Sequence, residues 1–339
     1  MIELSKEDKL FFFERNFVTL DGLWMLETEN ECGWDRALKV DVTVWINLFK
    51  TILRRFQRYL NIETNTLHDL IKILMFRWSI EGWEYEIQKK SDSELHLEVV
   101  TCPYKEAMKR NPERHHVIPK ICTGMCHVFY KEDFEDFVPD LTFEVTRSQG
   151  LGADTCDFKF VVKNDNSLSQ NGLVKPEITL DDRLFYYEKN FFTMDGWWMV
   201  EVEKEVGEDL ALKIDTVVWQ RLYKIIFRRV KRYLNITGNN IKDLIKILEF
   251  TWSCEGFDYK VIKNEMDEGI MHMTYCPYNA MMERNPERHH RIEAICKDMC
   301  IPFYVPALEE FNPNIEYRRT KFLGVGDDVC DYHFKLKGD

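Results

Sequence analysis

The sequence predicts an α+β protein built from two similar halves. Residues Leu10 to Phe160 align with Leu184 to Phe334 at a constant offset of 174 residues, and about half of the aligned positions are identical. Within each half, helical apolar spacing comes first and alternating apolar spacing follows. Because helices and strands do not alternate one by one, we expect a helical N-terminal part and a small antiparallel sheet with an inserted helix.

Apolar residues at three- and four-residue steps predict the helices. Leu10, Phe13 and Phe17 begin such a stripe in the first helix. Asn111 and Pro112 form a typical helix start, with an N-cap residue followed by proline at the first helical position. The predicted helices of the first half are 6–31, 42–60, 66–77, 112–126 and a short piece near 131–138.

Alternating apolar residues predict four strands in the first half. A polar turn at residues 91–93 separates the first two strands, and a turn containing Gly150 and Gly152 separates the last two. The predicted strands are 83–89, 94–101, 141–147 and 155–162.

A repeat of this length corresponds to a whole domain rather than to a solenoid unit. Residues 163–177 are polar and contain glycine and proline, as is typical of a linker. We therefore predict one domain at 1–162 and a second at 178–339. A duplicated chain of this kind is expected to form an internal pseudo-dimer. Further oligomerisation is left open.

The overall charge excludes some classes of function. The 339 residues include 46 Lys and Arg against 58 Asp and Glu, which gives a net charge of −12 at pH 7. Non-specific nucleic-acid binding needs Lys and Arg at the phosphates, so no nucleic-acid partner is expected. No stretch approaches the roughly 20 apolar residues that cross a bilayer, and the charged N-terminus lacks the apolar core of a secretion signal. We predict a soluble, cytoplasmic protein with no membrane partner.

Cysteine and histidine form the pattern most typical of a chemical site. On a regular helix starting at Pro112, the residues His115, Cys122 and Cys126 share one face. Thiolate and imidazole ligands suit zinc, either structural or catalytic, and an iron–sulfur or other metal cofactor is left open. Eight of the ten cysteines occupy aligned positions in the two halves. The predicted metal ligands are Cys102, His115, Cys122, Cys126 and Cys156, with Cys276, His289, Cys296, Cys300 and Cys330 in the second half.

Simpler interpretations of the same residues stay open. Free cysteine packs as a small hydrophobe, so a Cys-x₃-Cys pair can belong to an ordinary core. Disulfides are the least expected outcome in a reducing compartment. The adjacent histidines are either candidate catalytic bases or plain surface residues. These candidates are His115, His116, His289 and His290.

A second group of residues suggests substrate binding. Asp21 and Gly22 lie in the middle of a predicted helix, where glycine costs about 1 kcal/mol relative to alanine. Close approach of another backbone or of a ligand would offset that cost. Asp21 is expected either to pair with Arg54 or Arg55 or to contact a ligand, and the arginine strip of the second helix is either an anion site or a solvated face. The substrate-binding candidates are Asp21, Trp24, Arg54, Asp195, Trp198 and Arg228.

Several short motifs occur at aligned positions of the two halves. They are DGLWM (21–25), DGWWM (195–199), Cys-Pro-Tyr (102–104 and 276–278), the Cys-x₃-Cys pairs, GADTCDFKF (152–160) and GDDVCDYHF (326–334). In these motifs each half resembles the family of L-2-amino-thiazoline-4-carboxylic acid hydrolase. The closing Gly…Cys-Asp-Phe segment is also similar, more faintly, to small-molecule-binding domains of the 4-vinyl reductase type.

The resemblance implies a hydrolase that opens a sulfur-containing five-membered ring. We accordingly predict a hydrolase-like protein that opens a carbon–nitrogen bond of a cyclic amidine or related small molecule. Either a metal-bound water or a cysteine thiolate with His115 or His116 as base would attack the substrate. The alternative is a non-catalytic protein that binds a metal, a cofactor or an apolar ligand. Trp24, Trp45, Trp78 and Trp83 would then line its pocket.

Overall fold

The α+β architecture is confirmed in both halves. The computed structural model describes residues 2–89, 91, 93–163, 173–284 and 286–337. Each half contains long helices followed by a four-stranded antiparallel sheet. Most of the predicted linker, residues 164–172, and two residues near the first hairpin turn, 90 and 92, lie outside the described residues. Among the described helices, none is both long and apolar enough to cross a membrane.

The first half follows the predicted order of elements. The second helix begins at Trp34, earlier than predicted, and the third continues to Glu81. The strands pair in the order β1-β2-β4-β3. The helices are α1 (Lys6–Cys32), α2 (Trp34–Tyr59), α3 (Leu67–Glu81), α4 (Pro103–Lys109), α5 (Ile118–Ile121) and α6 (His127–Phe137), and the strands are β1 (Glu84–Lys89), β2 (Glu94–Thr101), β3 (Leu141–Arg147) and β4 (Cys156–Val162).

The second half repeats this order. Its strands pair as β5-β6-β8-β7, which is the same topology as in the first half. The helices are α7 (Leu180–Val206), α8 (Glu208–Tyr233), α9 (Ile241–Glu255), α10 (Pro277–Glu283), α11 (Ile292–Ala294) and α12 (Cys300–Phe311), and the strands are β5 (Asp258–Asn264), β6 (Glu268–Tyr275), β7 (Ile315–Arg318) and β8 (Cys330–Leu336).

The chain divides into two compact units whose limits differ from those of the sequence halves. The first unit is Thr28–Glu208, and the second unit combines Met1–Glu27 with Asp209–Asp339. Helix α7 therefore belongs to the unit that contains β1 to β4, whereas most of α1 belongs to the unit that contains β5 to β8. The predicted domain limits at 162 and 178 follow the repeat in the sequence. Both these limits and the internal pseudo-dimer stay predictions.

Arg55 explains why α7 belongs to the first unit. Its guanidinium donates to the Lys189 carbonyl at 2.9 Å, to Asn190 Oδ1 at 2.5 Å and to Thr193 Oγ1 at 2.9 Å. Three charge-assisted hydrogen bonds from one side chain thus join α2 to α7. The second unit has the same arrangement between α8 and α1. There Arg229 donates to the Arg15 carbonyl, Asn16 Oδ1 and Thr19 Oγ1.

We expect Arg55→Ala to lower the free energy of unfolding by about 2–4 kcal/mol, because it leaves Asn190 Oδ1 buried without its donor. Arg54→Ala is the matched control, since Arg54 is exposed and its hydrogen bonds within the described part of the chain go to Lys50 and Thr51 of its own helix. Urea unfolding measured by circular dichroism compares the two variants. Equal losses in both variants would contradict this role for Arg55.

The glycine in the middle of α1 does not mark a close contact. Among the described residues, nothing lies within 4 Å of the position where a Cβ on Gly22 would be, and the same holds for Gly196. The expectation that another backbone approaches this point is therefore wrong, and the approach of a ligand stays a prediction. The conformational cost of the glycine is met instead by the packing of the helix as a whole, since Phe17, Leu20 and Trp24 are fully buried.

Candidate functional site

Three cysteines from two chain segments line one small cavity in the first unit. Cys102 lies between β2 and α4, and Cys122 and Cys126 lie between α5 and α6. The cavity has a volume of about 50 Å³. Its other lining residues are Trp45, Arg77, Trp83, Tyr104, Lys105, Met108, Ile121, Met125, Phe129 and Tyr130. Aromatic and apolar groups thus surround the thiols and one guanidinium.

Cys102 is fixed by the start of a helix. It is the N-cap of α4, and its Sγ accepts a hydrogen bond from the Lys105 N–H at 3.5 Å. Pro103 follows at the first helical position, where its missing N–H would have had no partner. The Cys-Pro-Tyr motif therefore places a thiol at the helix start and Tyr104 beside it in the cavity wall.

The helix predicted from Pro112 to Cys126 is not a regular α-helix, and this part of the prediction is wrong. Residues Pro112–Val117 form a 3₁₀-helix, α5 is a single turn, and Cys122–Cys126 form a π-helical segment. The rotation per residue differs among these three types, so His115 does not share a face with Cys122 and Cys126, which both line the cavity. A π-helical segment recurs at Ile295–Met299 in the second half.

Gly150 lets the β3–β4 loop close against this segment. A Cβ at Gly150 would overlap the side chain of Cys122, so only glycine fits without displacing the thiol. Cys156 Sγ accepts a hydrogen bond from the Gln149 N–H at 3.1 Å in the same loop. The turn recognised in the sequence thus has a packing role next to the cavity.

Burial determines the protonation of the cavity thiols. It raises the pKa of Cys122 to about 11 and that of Cys102 to about 12. The pKa of Cys126 is raised well above the usual range by burial and by the neighbouring thiols. These three cysteines are therefore thiols rather than thiolates at neutral pH.

A buried ion pair lies at the cavity wall. Arg77 Nε donates to Glu81 Oε1 at 3.0 Å, one helical turn away on α3. Tyr104 donates to the same oxygen at 3.0 Å, and Trp83 Nε1 donates to Oε2 at 2.8 Å. Tyr186 of α7 also donates to Oε1. Four donors thus converge on the two carboxyl oxygens of Glu81, one of them the guanidinium of Arg77.

Asp133 on α6 is a second buried carboxyl group. It is 1% exposed, and neither carboxyl oxygen has a hydrogen-bond partner among the described residues. Burial raises its pKa to about 8, although Lys50 and Arg77 oppose the shift. Asp133 is therefore mainly protonated at neutral pH. The aligned residue in the second half is Ala307.

The predicted histidines do not reach the cavity. His115 is exposed, and its Nε2 lies 2.8 Å from the Lys109 carbonyl oxygen. His289 is also exposed and lies in the same way against the Glu283 carbonyl oxygen. His116 and His290 are exposed as well.

The residues present do not fit the predicted zinc site. Within the described part of the chain, no three His, Cys, Asp or Glu side chains are placed to bind one metal ion. The metal ligand sets predicted for the two halves thus receive no support from this arrangement.

The predicted substrate-binding residues are not cavity-lining residues either. Trp24 and Trp198 are fully buried in their helices. Arg54 is exposed, and Arg228 makes a bidentate ion pair with Glu310. Asp21 and Asp195 are partly buried in α1 and α7. Of the four tryptophans considered for a pocket, the structure places Trp45 and Trp83 in the cavity wall.

Sequence reasoning missed Arg77, Glu81 and Asp133. The first two had a usable signal, because Arg77 and Glu81 are spaced i, i+4 on a helix that is otherwise largely apolar. Charged residues inside an apolar helix need partners, and a pair at this spacing supplies one. Asp133 had no such signal, since its neighbours Glu132, Glu135 and Asp136 make the segment look like a solvated surface.

Comparison with known proteins bears on this region. Residues 14–160 match the family model of L-2-amino-thiazoline-4-carboxylic acid hydrolase. The hydrolase-family match includes all the cavity-lining residues. Residues 174–321 match a different model, that of a family of unknown function, DUF6125. No curated protein and no solved structure matches the chain. The hydrolase resemblance predicted for both halves is thus found in the first half, and the tandem duplication stays a prediction.

Proposed function

We propose that the chain is a hydrolase-like protein acting on a small molecule, and that the cavity of the first unit is its site. The observation that carries this proposal is the convergence of Cys102, Cys122 and Cys126 on one cavity inside the hydrolase-family match. The reaction we propose is the opening of a carbon–nitrogen bond in a cyclic amidine or related compound.

Cys122 is the nucleophile that fits this reaction best. Its pKa, about 11, is the lowest of those given for the cavity thiols, and Lys105 helps to lower it. An amidine nitrogen is basic enough to take the thiol proton as sulfur attacks the amidine carbon. A carbon–sulfur bond forms and the carbon–nitrogen bond breaks. Water then attacks the same carbon, the carbon–sulfur bond breaks, and a water proton restores the thiol.

The aromatic wall and a lysine would orient such a substrate. Trp45, Trp83 and Tyr104 present flat apolar surfaces for a small ring. Lys105, which also lines the cavity, supplies a positive charge that a carboxylate on the ring would approach. The largely apolar lining strengthens this attraction, because it lowers the local dielectric constant.

We expect Cys122→Ser to lower the rate of ring opening by at least about 100-fold, because a serine hydroxyl gives up its proton far less readily than a thiol and is a much weaker nucleophile. The assay follows 2-amino-thiazoline-4-carboxylic acid and its product by mass spectrometry. Cys296→Ser, at the aligned position of the second half, is the matched control and should keep the wild-type rate. Full activity in Cys122→Ser would exclude this mechanism.

A non-catalytic binding function is the second candidate. It is favoured by the raised pKa values of the three thiols, which make each of them a poor nucleophile on its own. Calorimetric binding of the same compound with no product after prolonged incubation would support this candidate. Product formation that depends on Cys122 would support the hydrolase.

A further inference from the structure

The second unit contains a buried arginine whose guanidinium group lies among two aromatic rings and a sulfur atom. Arg319 follows β7 and is 7% exposed. Its guanidinium carbon lies 4.2 Å from the ring centre of Tyr332 and 4.6 Å from that of Phe322. Its Nη1 donates a hydrogen bond to Cys300 Sγ at 2.9 Å. The groups of Cys300, Phe322 and Tyr332 thus form a cage for a flat cation, which we call the guanidinium cage.

Packing rather than an ion pair holds the guanidinium of Arg319. Its Nε and Nη2 atoms are buried and have no hydrogen-bond partner among the described residues. The buried arginine of the first unit differs, because Arg77 Nε lies 3.0 Å from Glu81 Oε1. A buried arginine normally has such an anion to offset its loss of water. Arg319 therefore fills the cage without the partner that would explain its burial.

The first unit has no arginine at the corresponding place. The residue aligned with Arg319 is the uncharged Val145, and the residue aligned with Cys300 is Cys126. Cys126 lines the cavity of the first unit. The thiol that borders a cavity in one unit thus contacts a guanidinium in the other. A guanidinium and an amidine are both flat groups with nitrogen atoms around one carbon, so Arg319 resembles an amidine ligand.

A buried carboxyl group makes this region favourable for a cation. Glu255 on α9 is 3% exposed and aligns with Glu81. Burial, followed by the negative charge of Glu255, raises the pKa of Tyr223. Tyr304 donates to the Tyr223 hydroxyl oxygen at 3.2 Å, and its ring centre lies 6.0 Å from that of Tyr332. Glu255 thus lies near the tyrosine cluster that includes one wall of the cage, and its charge favours a cation there over a neutral or anionic group.

We propose that the guanidinium cage is a binding site for small flat amidinium and guanidinium cations, and that Arg319 fills it in the wild type. The second unit is then closed to such ligands. This ligand class rests on the proposed function of the first unit, whereas the filled cage is independent of it. A closed second unit also gives the reason why Cys296→Ser is expected to keep the wild-type rate.

Urea unfolding of the full chain, with acetamidinium chloride as the probe, tests this proposal. Arg319→Val introduces the residue of the first half and empties the cage. At an acetamidinium concentration about ten times its Kd, the unfolding equilibrium constant of the variant should fall about tenfold further than that of the wild type. Methylammonium chloride is the control probe, because it has the charge but not the flat shape. It should change the two proteins equally.

Further variants locate the effect at the cage. Arg318→Val removes an exposed arginine of β7 and should respond to acetamidinium as the wild type does. Adding Phe322→Ser to Arg319→Val introduces the first-half residue at both positions, and the loss of one ring face should remove most of the stabilisation. If Arg319→Val does not fold by itself, acetamidinium, but not methylammonium, should restore the wild-type circular dichroism spectrum.

An equal response of Arg319→Val and the wild type to acetamidinium would overturn the proposal. So would an unfolded variant that acetamidinium does not restore, or a stabilisation by methylammonium as large as that by acetamidinium. Failure of the proposed function is a different result, because it is measured as ring opening that depends on Cys122 in a chain that keeps Arg319. Stabilisation of Arg319→Val needs no reaction at either unit.

Discussion

Glu81→Gln is expected to lower the free energy of unfolding by about 3–5 kcal/mol, because it leaves the charge of Arg77 buried without its anion. Arg77 is 1% exposed, and its Nε donates to Glu81 at 3.0 Å. A glutamine keeps the shape of the side chain and one acceptor oxygen. It loses the charge that offsets the desolvation of the guanidinium, and the bonds from Tyr104, Tyr186 and Trp83 become weaker.

Urea unfolding monitored by circular dichroism measures this loss, and Glu144→Gln on the exposed face of β3 is the control for the chemical change. The double variant Arg77→Thr with Glu81→Gln removes both charges and places in the first half the threonine found at position 251. Because no uncompensated charge remains, we expect it to lose less stability than Glu81→Gln alone. A single variant as stable as the wild type would show that Arg77 does not need its partner.

Asp133→Asn is expected to become more stable relative to the wild type as the pH rises. The pKa of Asp133 is raised to about 8 in the folded chain, against an ordinary value of 3.8. The folded state therefore binds the proton more tightly than the unfolded state. The wild type loses stability as the pH rises between these two values, by up to about 1.4 kcal/mol per pH unit from this group alone. Asparagine does not titrate, so the variant escapes that loss.

Urea unfolding at about pH 6, 7.5 and 9 compares the two proteins across this range. Between the lowest and the highest pH, the free energy of unfolding of the variant should rise by about 1–3 kcal/mol relative to that of the wild type, because only the wild type must bury a charge as the pH rises. Glu144→Gln, on the exposed face of β3, should show a difference that does not change with pH. A pH-independent difference for Asp133→Asn would mean that Asp133 is already ionised in the folded chain.

The sequence alone was sufficient for the elements and for their class. Apolar spacing predicted the first helix within one residue of Lys6–Cys32, and alternation predicted β3 at Leu141–Arg147. These predictions succeeded because the spacing of apolar residues depends on the local geometry of a single helix or strand. The N-cap signal at Asn111 was also correct, although it opened a 3₁₀-helix. The spacing of apolar residues does not distinguish 3₁₀, α and π turns, since the three differ by only one residue in the separation between hydrogen-bond donor and acceptor along the chain.

The tertiary structure decided which residues form the site. The burial of Asp133 depends on what packs against α6, and no local pattern contains that information. Arg55 was expected to pair within its own half, yet its partners are on α7, some 130 residues later in the chain. His115 was predicted on the face of the cysteines, but the 3₁₀ turn directs it to the Lys109 carbonyl. The sequence specifies the spacing of apolar residues within each helix and strand. The charge of a buried group depends instead on its loss of water and on its ion-pair partners, and both arise only when distant segments pack together.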